Sequence, residues 1–245
     1  MIFVNICIYL NINPSKTMSK CEQCIVRQMN SLQHLSKEEL LRMSNCKTSQ
    51  IVKKGELLFD EGDYVNGIFC IKQGTCKISK ISENGRSQII GLVQKGNLLG
   101  ERSMLSEEAS NLKAIALDDM QVCFIPKEEI IKDLQKNPNF SMDVLKTMAD
   151  KLKKADNLIV DMAHKTVKQR LAELILHLDS NFNPMNKSYI DINLSRKDFA
   201  DIIGAATEST IRLLTEFKRK EIIAYKGKYI RIINSRELEK IAKGF

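Results

Sequence analysis

The apolar positions keep different periods in different parts of this chain. Between Gly55 and Gly100 lie short runs rich in Ile, Val, Leu and Phe, and eight of the eleven glycines fall in that interval. Short strands with frequent turns predict an antiparallel roll or barrel. In KISKISENGRSQIIGL the pair Asn84-Gly85 predicts a two-residue hairpin turn with positive φ angles between alternating strands. The strand pattern continues through AIALDDMQVCFI, Pro126 stops it, and KEEIIKDL predicts a short helix.

From Met142 the period becomes a heptad. Leu145, Leu152 and Ile159 recur every seven residues, and Met148, Ala155 and Met162 follow each by three, the a/d pattern of a helix with a dimer seam. A helix packed on its own β domain gives the same stripe over so short a span. The small Ala155 and the charges at Lys151, Lys153, Lys154 and Asp156 favour helix against helix. TVKQRLAELILHL is helical again, and NFNPMNKSYIDINL breaks the pattern with Pro184 and turn residues. In SRKDFADIIGAATESTIRLLTEFKRKEIIAYKGKYIRIIN, Ser195 caps a short helix with Asp198 three residues on, and Gly204 ends it. A second helix starts near Thr207 with Thr210, Leu213, Leu214 and Phe217 on its apolar face, and a hairpin turning at Lys226-Gly227-Lys228 follows. Helix, tight turn, helix and β-wing make a winged helix-turn-helix.

At 245 residues the chain has room for two domains, each with its own core. The formal net charge of +8 is uneven: residues 164–245 hold 16 Lys+Arg against 10 Asp+Glu, and residues 1–163 hold 22 against 20. A basic C-terminal domain points to a polyanion partner. The uncharged start MIFVNICIYLNI is too short to cross a bilayer and lacks the basic region of a secretory signal, so a soluble cytoplasmic protein without a membrane partner is expected. Met18 begins a more polar start, which makes residues 1–17 a mis-assigned start or a loose tail. Seven cysteines, an odd number in a reducing compartment, argue against a disulfide framework and leave metal, redox or packing roles.

These segments resemble the Crp/Fnr family of bacterial transcription regulators, from about Cys21 to Ile233. KKGELLFDEGDYVNGIFCIKQGTCKIS is similar to the family's β-roll signature, with Gly55, Phe59, Gly62, Asp63 and Gly74 in the expected places. TESTIRLLTEF resembles its recognition helix. The resemblance implies an α+β chain: an N-terminal tail with C-x2-C (1–30), a jelly-roll-like antiparallel β-roll sensor similar to cyclic-nucleotide-binding domains (31–135), a long dimerisation helix (136–163) and a C-terminal winged helix-turn-helix (164–245). It also implies a homodimer, double-stranded DNA as ligand and RNA polymerase as partner, with an effector on the roll altering the long helices and the pose of the DNA-binding domains. A two-fold dimer presents two recognition helices about one turn of DNA apart, so an inverted repeat is the expected target.

Glu208 and Arg212 lie four apart and share a helical face. Arginine donates twice to guanine O6 and N7, and glutamate accepts from cytosine N4, so the pair suits a G·C-containing step. Both match the family's base-reading residues; the competing interpretation is a surface ion pair at i,i+4. Ile211 beside them can meet a thymine methyl, and Thr207 stands where some relatives carry a basic residue. Lys218, Arg219, Lys220, Lys226 and Lys228 suit phosphates, which position a domain without reading sequence.

In relatives that bind cyclic nucleotides, a Gly-Glu pair is followed some ten residues later by an arginine that meets the cyclic phosphate. Here Gly100-Glu101 is followed by Ser110-Asn111, and a buried phosphate loses its bidentate partner. Gly100 and Glu101 are therefore expected as turn and fold residues of the effector pocket, and a cyclic nucleotide is disfavoured. The oxygen-sensing branch holds an iron–sulfur cluster on C-x2-C-x5-C and one roll cysteine. Cys21, Cys24 and Cys123 match, but Asn30, a poor donor, stands at the third position. Cys46 is the expected substitute, ahead of His34, while Cys70 and Cys76 read as packing residues and Cys7 lies in the doubtful tail. Zinc lacks a second ligand pair, and a thioredoxin-like dithiol lacks its βαβ setting. No His-Asp-Ser set, phosphate loop or paired carboxylates point to an enzyme. The alternative to DNA is a ligand-binding module that regulates a partner protein.

Overall fold

The computed structural model describes residues 20–183 and 189–245. The readings made for residues 1–17, Cys7 and Pro184 lie outside the described residues.

Eight strands form the N-terminal roll: β1 (Thr48–Val52), β2 (Leu57–Phe59), β3 (Gly67–Gln73), β4 (Thr75–Ile81), β5 (Ser87–Gln94), β6 (Leu98–Leu99), β7 (Lys113–Ala116) and β8 (Met120–Pro126). They pair antiparallel as two four-stranded sheets, ordered β1-β8-β3-β6 and β2-β7-β4-β5. Alternation along each strand turns Phe69, Ile71, Cys76, Ile78, Met120 and Val122 into one apolar layer between the sheets. Gly74 connects β3 to β4 at φ +88°, and a Cβ there would meet Asp119 O at 2.8 Å, so glycine is required on two counts.

The β4–β5 turn differs from the expected two-residue form. Only Gly85 takes a positive φ, at +75°; the Gly85 amide donates to Ser82 O at 2.8 Å and the Ser82 amide to Arg86 O at 2.9 Å. Asn84 instead accepts through Oδ1 from Ser82 Oγ at 2.6 Å. That is a type I turn closed by one left-handed glycine, the next most common hairpin solution, and it spares Asn84 the left-handed conformation.

Helix α1 (Lys37–Cys46) is started by a capping box between Ser36 and Glu39, and α2 (Glu101–Ser106) and α3 (Lys127–Lys136) follow within and after the roll. Ahead of α1 the chain runs through short 3-10 turns at Cys21–Gln23, Ile25–Met29 and Ser31–His34. Their Cys21, Val26 and Leu32 pack with Leu40, Met43, Cys70, Cys123, Ile125 and Phe140 in a second core. The 27-residue helix α4 (Pro138–His164) begins with Pro138 at a favourable first position and an Asn137 cap on the Phe140 amide. Phe140, 1% exposed, anchors it to the roll, whereas Leu145, Leu152 and Ile159 are 62%, 64% and 68% exposed. The heptad seam is therefore not packed on the chain's own β domain.

The C-terminal part comprises α5 (Val167–Phe182), α6 (Arg196–Ile203), α7 (Thr207–Arg219), the hairpin β9 (Ile223–Lys226) and β10 (Tyr229–Ile232), and α8 (Ser235–Lys243). Helix α8 lies beyond the elements expected from the sequence pattern; its Leu238 and Ile241 close the core formed by Leu171, Ile175, Phe199, Leu214 and Phe217. Leu117 from the roll belongs to the same apolar cluster. Gln88 Nε2 of β5 donates to Ile202 O at 3.0 Å, and Lys77 of β4 meets Asp198 of α6. The roll and the helix-turn-helix are thus in direct contact.

Candidate nucleic-acid interface and cysteine cavity

The helix-turn-helix is written locally. Ser195 Oγ accepts from the Asp198 amide, Asp198 accepts from the Ser195 amide, and Gly204 closes α6 in the left-handed conformation at φ 62°. The chain then turns into α7, whose Thr210, Leu214 and Phe217 are buried. Fixing that face leaves Glu208, Ile211 and Arg212 exposed, with Thr207 half-buried at the helix start. Arg212 donates to Ser209 Oγ at 3.3 Å, and among the described residues it forms no ion pair with Glu208, so the i,i+4 bridge is not what holds the two side chains. Both are left with groups to offer a ligand.

The basic residues divide into two groups. Lys220 is held by Glu216 at 2.9 Å, and Lys168 reaches the same carboxylate at 2.8 Å; these hydrogen bonds pull Glu216 down to about 2. Lys218 Nζ and the Arg196 guanidinium flank the Tyr225 ring at 4.6 and 4.8 Å from its centre. Arg219 is exposed in the last turn of α7. Lys226 and Lys228 are exposed at the wing tip around Gly227, the first residue of a two-residue turn, at φ +59°.

On the roll, Gly100 at φ 93° starts α2 and Glu101 is buried. The Glu101 carboxylate accepts from Lys151 Nζ of α4 at 3.0 Å. Ser110 Oγ donates to Leu112 O at 2.8 Å, within its own loop. The buried Glu101 carboxylate is therefore already paired with the chain's own lysine.

The N-terminal cysteines lead elsewhere. Strand register sets Cys70 of β3 directly opposite Cys123 of β8, and both are buried. The Cys21 amide donates to Ser44 Oγ at 2.6 Å, which ties the first 3-10 turn to α1. Cys21, Cys24, Cys70 and Cys123 then line one cavity of about 20 Å³, together with Arg27, Lys47, Lys72 and apolar walls. Asn30 Nδ2 donates to Gly96 O at 2.9 Å and to Cys70 Sγ at 3.7 Å, while its Oδ1 accepts from the Leu32 amide. Burial, and after it the neighbouring Cys123, Cys24 and Cys21 sulfurs, push the Cys70 thiol up to about 12. Among the described residues no three His, Cys, Asp or Glu side chains are grouped as a single metal ion requires. Cys46 is exposed at the end of α1, outside the cavity. His34 faces Asp143 of α4 at 3.5 Å, and Cys76 is buried in the other core. Of the four cysteines expected at a metal centre, Cys21, Cys24 and Cys123 line this cavity and Cys46 does not; Cys70, expected as a packing residue, is buried in the same wall.

Comparison with known proteins bears on the whole chain. Residues 49–137 match the cyclic nucleotide-binding domain family and residues 169–241 the Crp-like helix-turn-helix domain family. The fumarate and nitrate reduction regulatory protein of Vibrio cholerae is 30% identical over 226 residues, 91% of this chain and 90% of that protein. Its Salmonella typhimurium counterpart is 31% identical over 225 residues, with the same shares covered. The chain belongs to the Crp/Fnr family. FixK2 from Bradyrhizobium japonicum superposes with a TM-score of 0.72 at 20% identity, over 80% of this chain and 96% of that one. A putative Crp/Fnr-family regulator from Eubacterium rectale gives 0.71 at 18%, over 86% and 97%. This Crp/Fnr chain is a DNA-binding transcription regulator with a sensing β-roll.

Membership sharpens two residues that sequence reasoning missed. Lys151 read as a seam charge, yet it supplies the intramolecular partner of Glu101; a buried carboxylate needing a cation was the available signal. Cys70 read as core because it sits in an apolar run, and nothing in the sequence sets it opposite Cys123. No helix among the described residues is long and apolar enough to cross a membrane.

Proposed function

We propose that this Crp/Fnr regulator acts in the cytoplasm as a homodimer paired through α4, reading an inverted-repeat DNA site with one α7 per half-site. The observation that carries the reading is the outward face of α7, where Glu208 and Arg212 are exposed and not bonded to each other while the opposite face is locked into the core. Arg212 reads a guanine and Glu208 the cytosine of a G·C step, with Ile211 against a neighbouring methyl and Thr207 at the helix start. Arg219, Lys226 and Lys228 neutralise phosphates, Lys218 does so from its place over Tyr225, and Lys220 contributes less because Glu216 holds it. The exposed Leu145, Leu152 and Ile159 supply the apolar seam. RNA polymerase is the protein partner by likeness to the relatives, whose name ties them to the regulation of fumarate and nitrate reduction. Selection of binding sites from random duplexes, followed by titration in rising salt, tests the reading. An enriched inverted repeat and a steep negative salt slope support it; equal binding to every duplex overturns it.

A further inference from the structure

The wing is a weak element by itself. Strands β9 and β10 have four residues each, and an isolated two-stranded hairpin is marginal in water. Its pose therefore depends on what tethers it to the helices. We infer that Tyr225 fixes the wing to both helices of the helix-turn-helix by gripping Arg196 of α6 and Lys218 of α7, which makes Tyr225 and Arg196 positioning residues for the lysines that meet phosphates. The inference deepens the DNA-reading proposal above and rests on it for the identity of the ligand.

The three side chains come from three elements. Arg196 opens α6, Lys218 lies in the last turn of α7 and Tyr225 sits in β9. The Arg196 guanidinium stands 4.8 Å and Lys218 Nζ 4.6 Å from the centre of the ring. A cation within about 6 Å of an aromatic centre is attracted by the ring's quadrupole, more strongly where water is excluded. Among the described residues neither cation is held by a carboxylate, whereas Lys220 beside them is taken by Glu216. The ring is therefore what places them.

The two cations differ in kind. Arg196 Nη2 donates to the Gly227 carbonyl at 3.2 Å, so this one side chain touches the wing both at β9 and at its tip. Its Nη1 is buried with no hydrogen-bond partner among the described residues, and burial lowers the guanidinium's pKa. A cation so far out of water gains more from the ring than an exposed one does. Arg196 is thus an anchor beneath the wing, and the exposed Lys218 is the member that reaches a ligand.

The connection from α7 to β9 brings the ring back to the helix. Glu221 adopts φ 53°, uncommon for a residue other than glycine, and the Ile222 amide donates to Phe217 O at 2.9 Å. Just beyond Tyr225, Lys226 pairs with Tyr229 across the turn that carries Gly227 and Lys228. With the ring gripped, Lys218, Lys226 and Lys228 share one rigid frame. Without it, the tip swings, and each cation has to be ordered at the moment of contact, at a cost in entropy. Tyr225 is half-buried and packs against the C-terminal core, so leucine in its place keeps the apolar contact and loses only the ring.

The test titrates the full-length chain, as wild type, Tyr225→Leu and Tyr225→Phe, into matched and altered duplexes over a range of salt. Tyr225→Leu removes no charge, so a change in salt slope can come only from cations that have lost their place. It is expected to bind every duplex roughly tenfold more weakly and to flatten the log–log slope by about 1 per half-site, with the preference for the matched duplex and the circular dichroism unchanged. Tyr225→Phe, which keeps the ring, restores affinity and slope. Adding Lys218→Ala to Tyr225→Leu should cost little more than Tyr225→Leu alone. Nuclear magnetic resonance of the DNA-free chain supplies a second readout: the Lys218 methylene signals are ring-shifted in wild type and Tyr225→Phe and move to ordinary positions in Tyr225→Leu. Should Tyr225→Leu lose its circular dichroism, Tyr225→Met takes its place under the same criteria. A wild-type slope and affinity in the leucine variant overturns the inference, as does a phenylalanine variant that fails equally, or Lys218 signals that the leucine leaves in place. A wild type that binds no duplex in a salt-dependent way, while keeping its ring-shifted Lys218 signals, overturns the DNA reading instead, so the two failures are told apart.

Discussion

Lys77 Nζ on β4 stands 2.5 Å from Asp198 Oδ1 on α6, so the sensor roll grips the first helix of the helix-turn-helix through an ion pair. Asp198 is the same residue that completes the capping box with Ser195. One carboxylate therefore both starts the DNA-binding motif and ties it to the sensor.

Lys77→Met leaves that buried carboxylate without its cation. The expected cost is about 1–3 kcal/mol in urea unfolding, below the figure for a fully buried pair because Lys77 is partly exposed. Burial raises the Asp198 pKa, but the hydrogen bonds from Lys77 and Ser195 outweigh it and leave the group below its ordinary 3.8. A depressed carboxylate contributes stability that is present above 3.8 and lost as pH falls below it. The deficit of Lys77→Met should therefore shrink on acidification below that pH, and a deficit that stays constant means the pair is not its source.

Arg212→Ala should cost about 1–3 kcal/mol on a matched half-site and almost nothing on one already altered at that G·C pair. Lys226→Ala and Lys228→Ala should instead weaken all duplexes alike and flatten the log–log salt slope by about 1 each. Fluorescence anisotropy with matched and altered duplexes separates the two patterns; equal losses for Arg212→Ala on both would remove its base-reading role.

Leu152→Glu sets two carboxylates against each other across a two-fold seam. Because Leu152 is 64% exposed in the single chain, the substitution should leave the fold and its circular dichroism intact while shifting sedimentation from dimer to monomer and weakening DNA binding. A dimer that persists places the seam elsewhere.

Cyclic AMP should leave the melting temperature unchanged, since Lys151 occupies Glu101 and Ser110-Asn111 offers the phosphate no guanidinium. A ligand that binds only the folded state raises stability by mass action, so a rise that grows with nucleotide concentration would contradict this.

Much of the DNA-binding half was legible in sequence because its signals are local. Ser195, Asp198 and Gly204 cap one helix within ten residues, and the buried stripe of α7 follows a period of 3.6, which leaves Glu208 and Arg212 facing outward by geometry alone. The roll was legible as a kind of fold for the same reason, through glycine-punctuated alternation. The Asn84-Gly85 turn was recognisable as a turn but not in its type, because one extra loop residue lets Gly85 alone carry the positive φ.

The cysteine cavity and the sensor's internal lysine were not legible. Cys70 and Cys123 are 53 residues apart and meet only through the pairing of β3 with β8; Lys151 meets Glu101 across 50 residues. By itself the sequence determined the periodic elements, their caps and the chemistry of the exposed recognition face, since each depends on neighbours within a few residues. Tertiary structure alone decided that Cys70 rather than Cys46 lines the cavity, that Glu101 is already paired and that Asp198 links sensor to reader. Those contacts are set by strand register and helix docking, which a linear pattern does not encode.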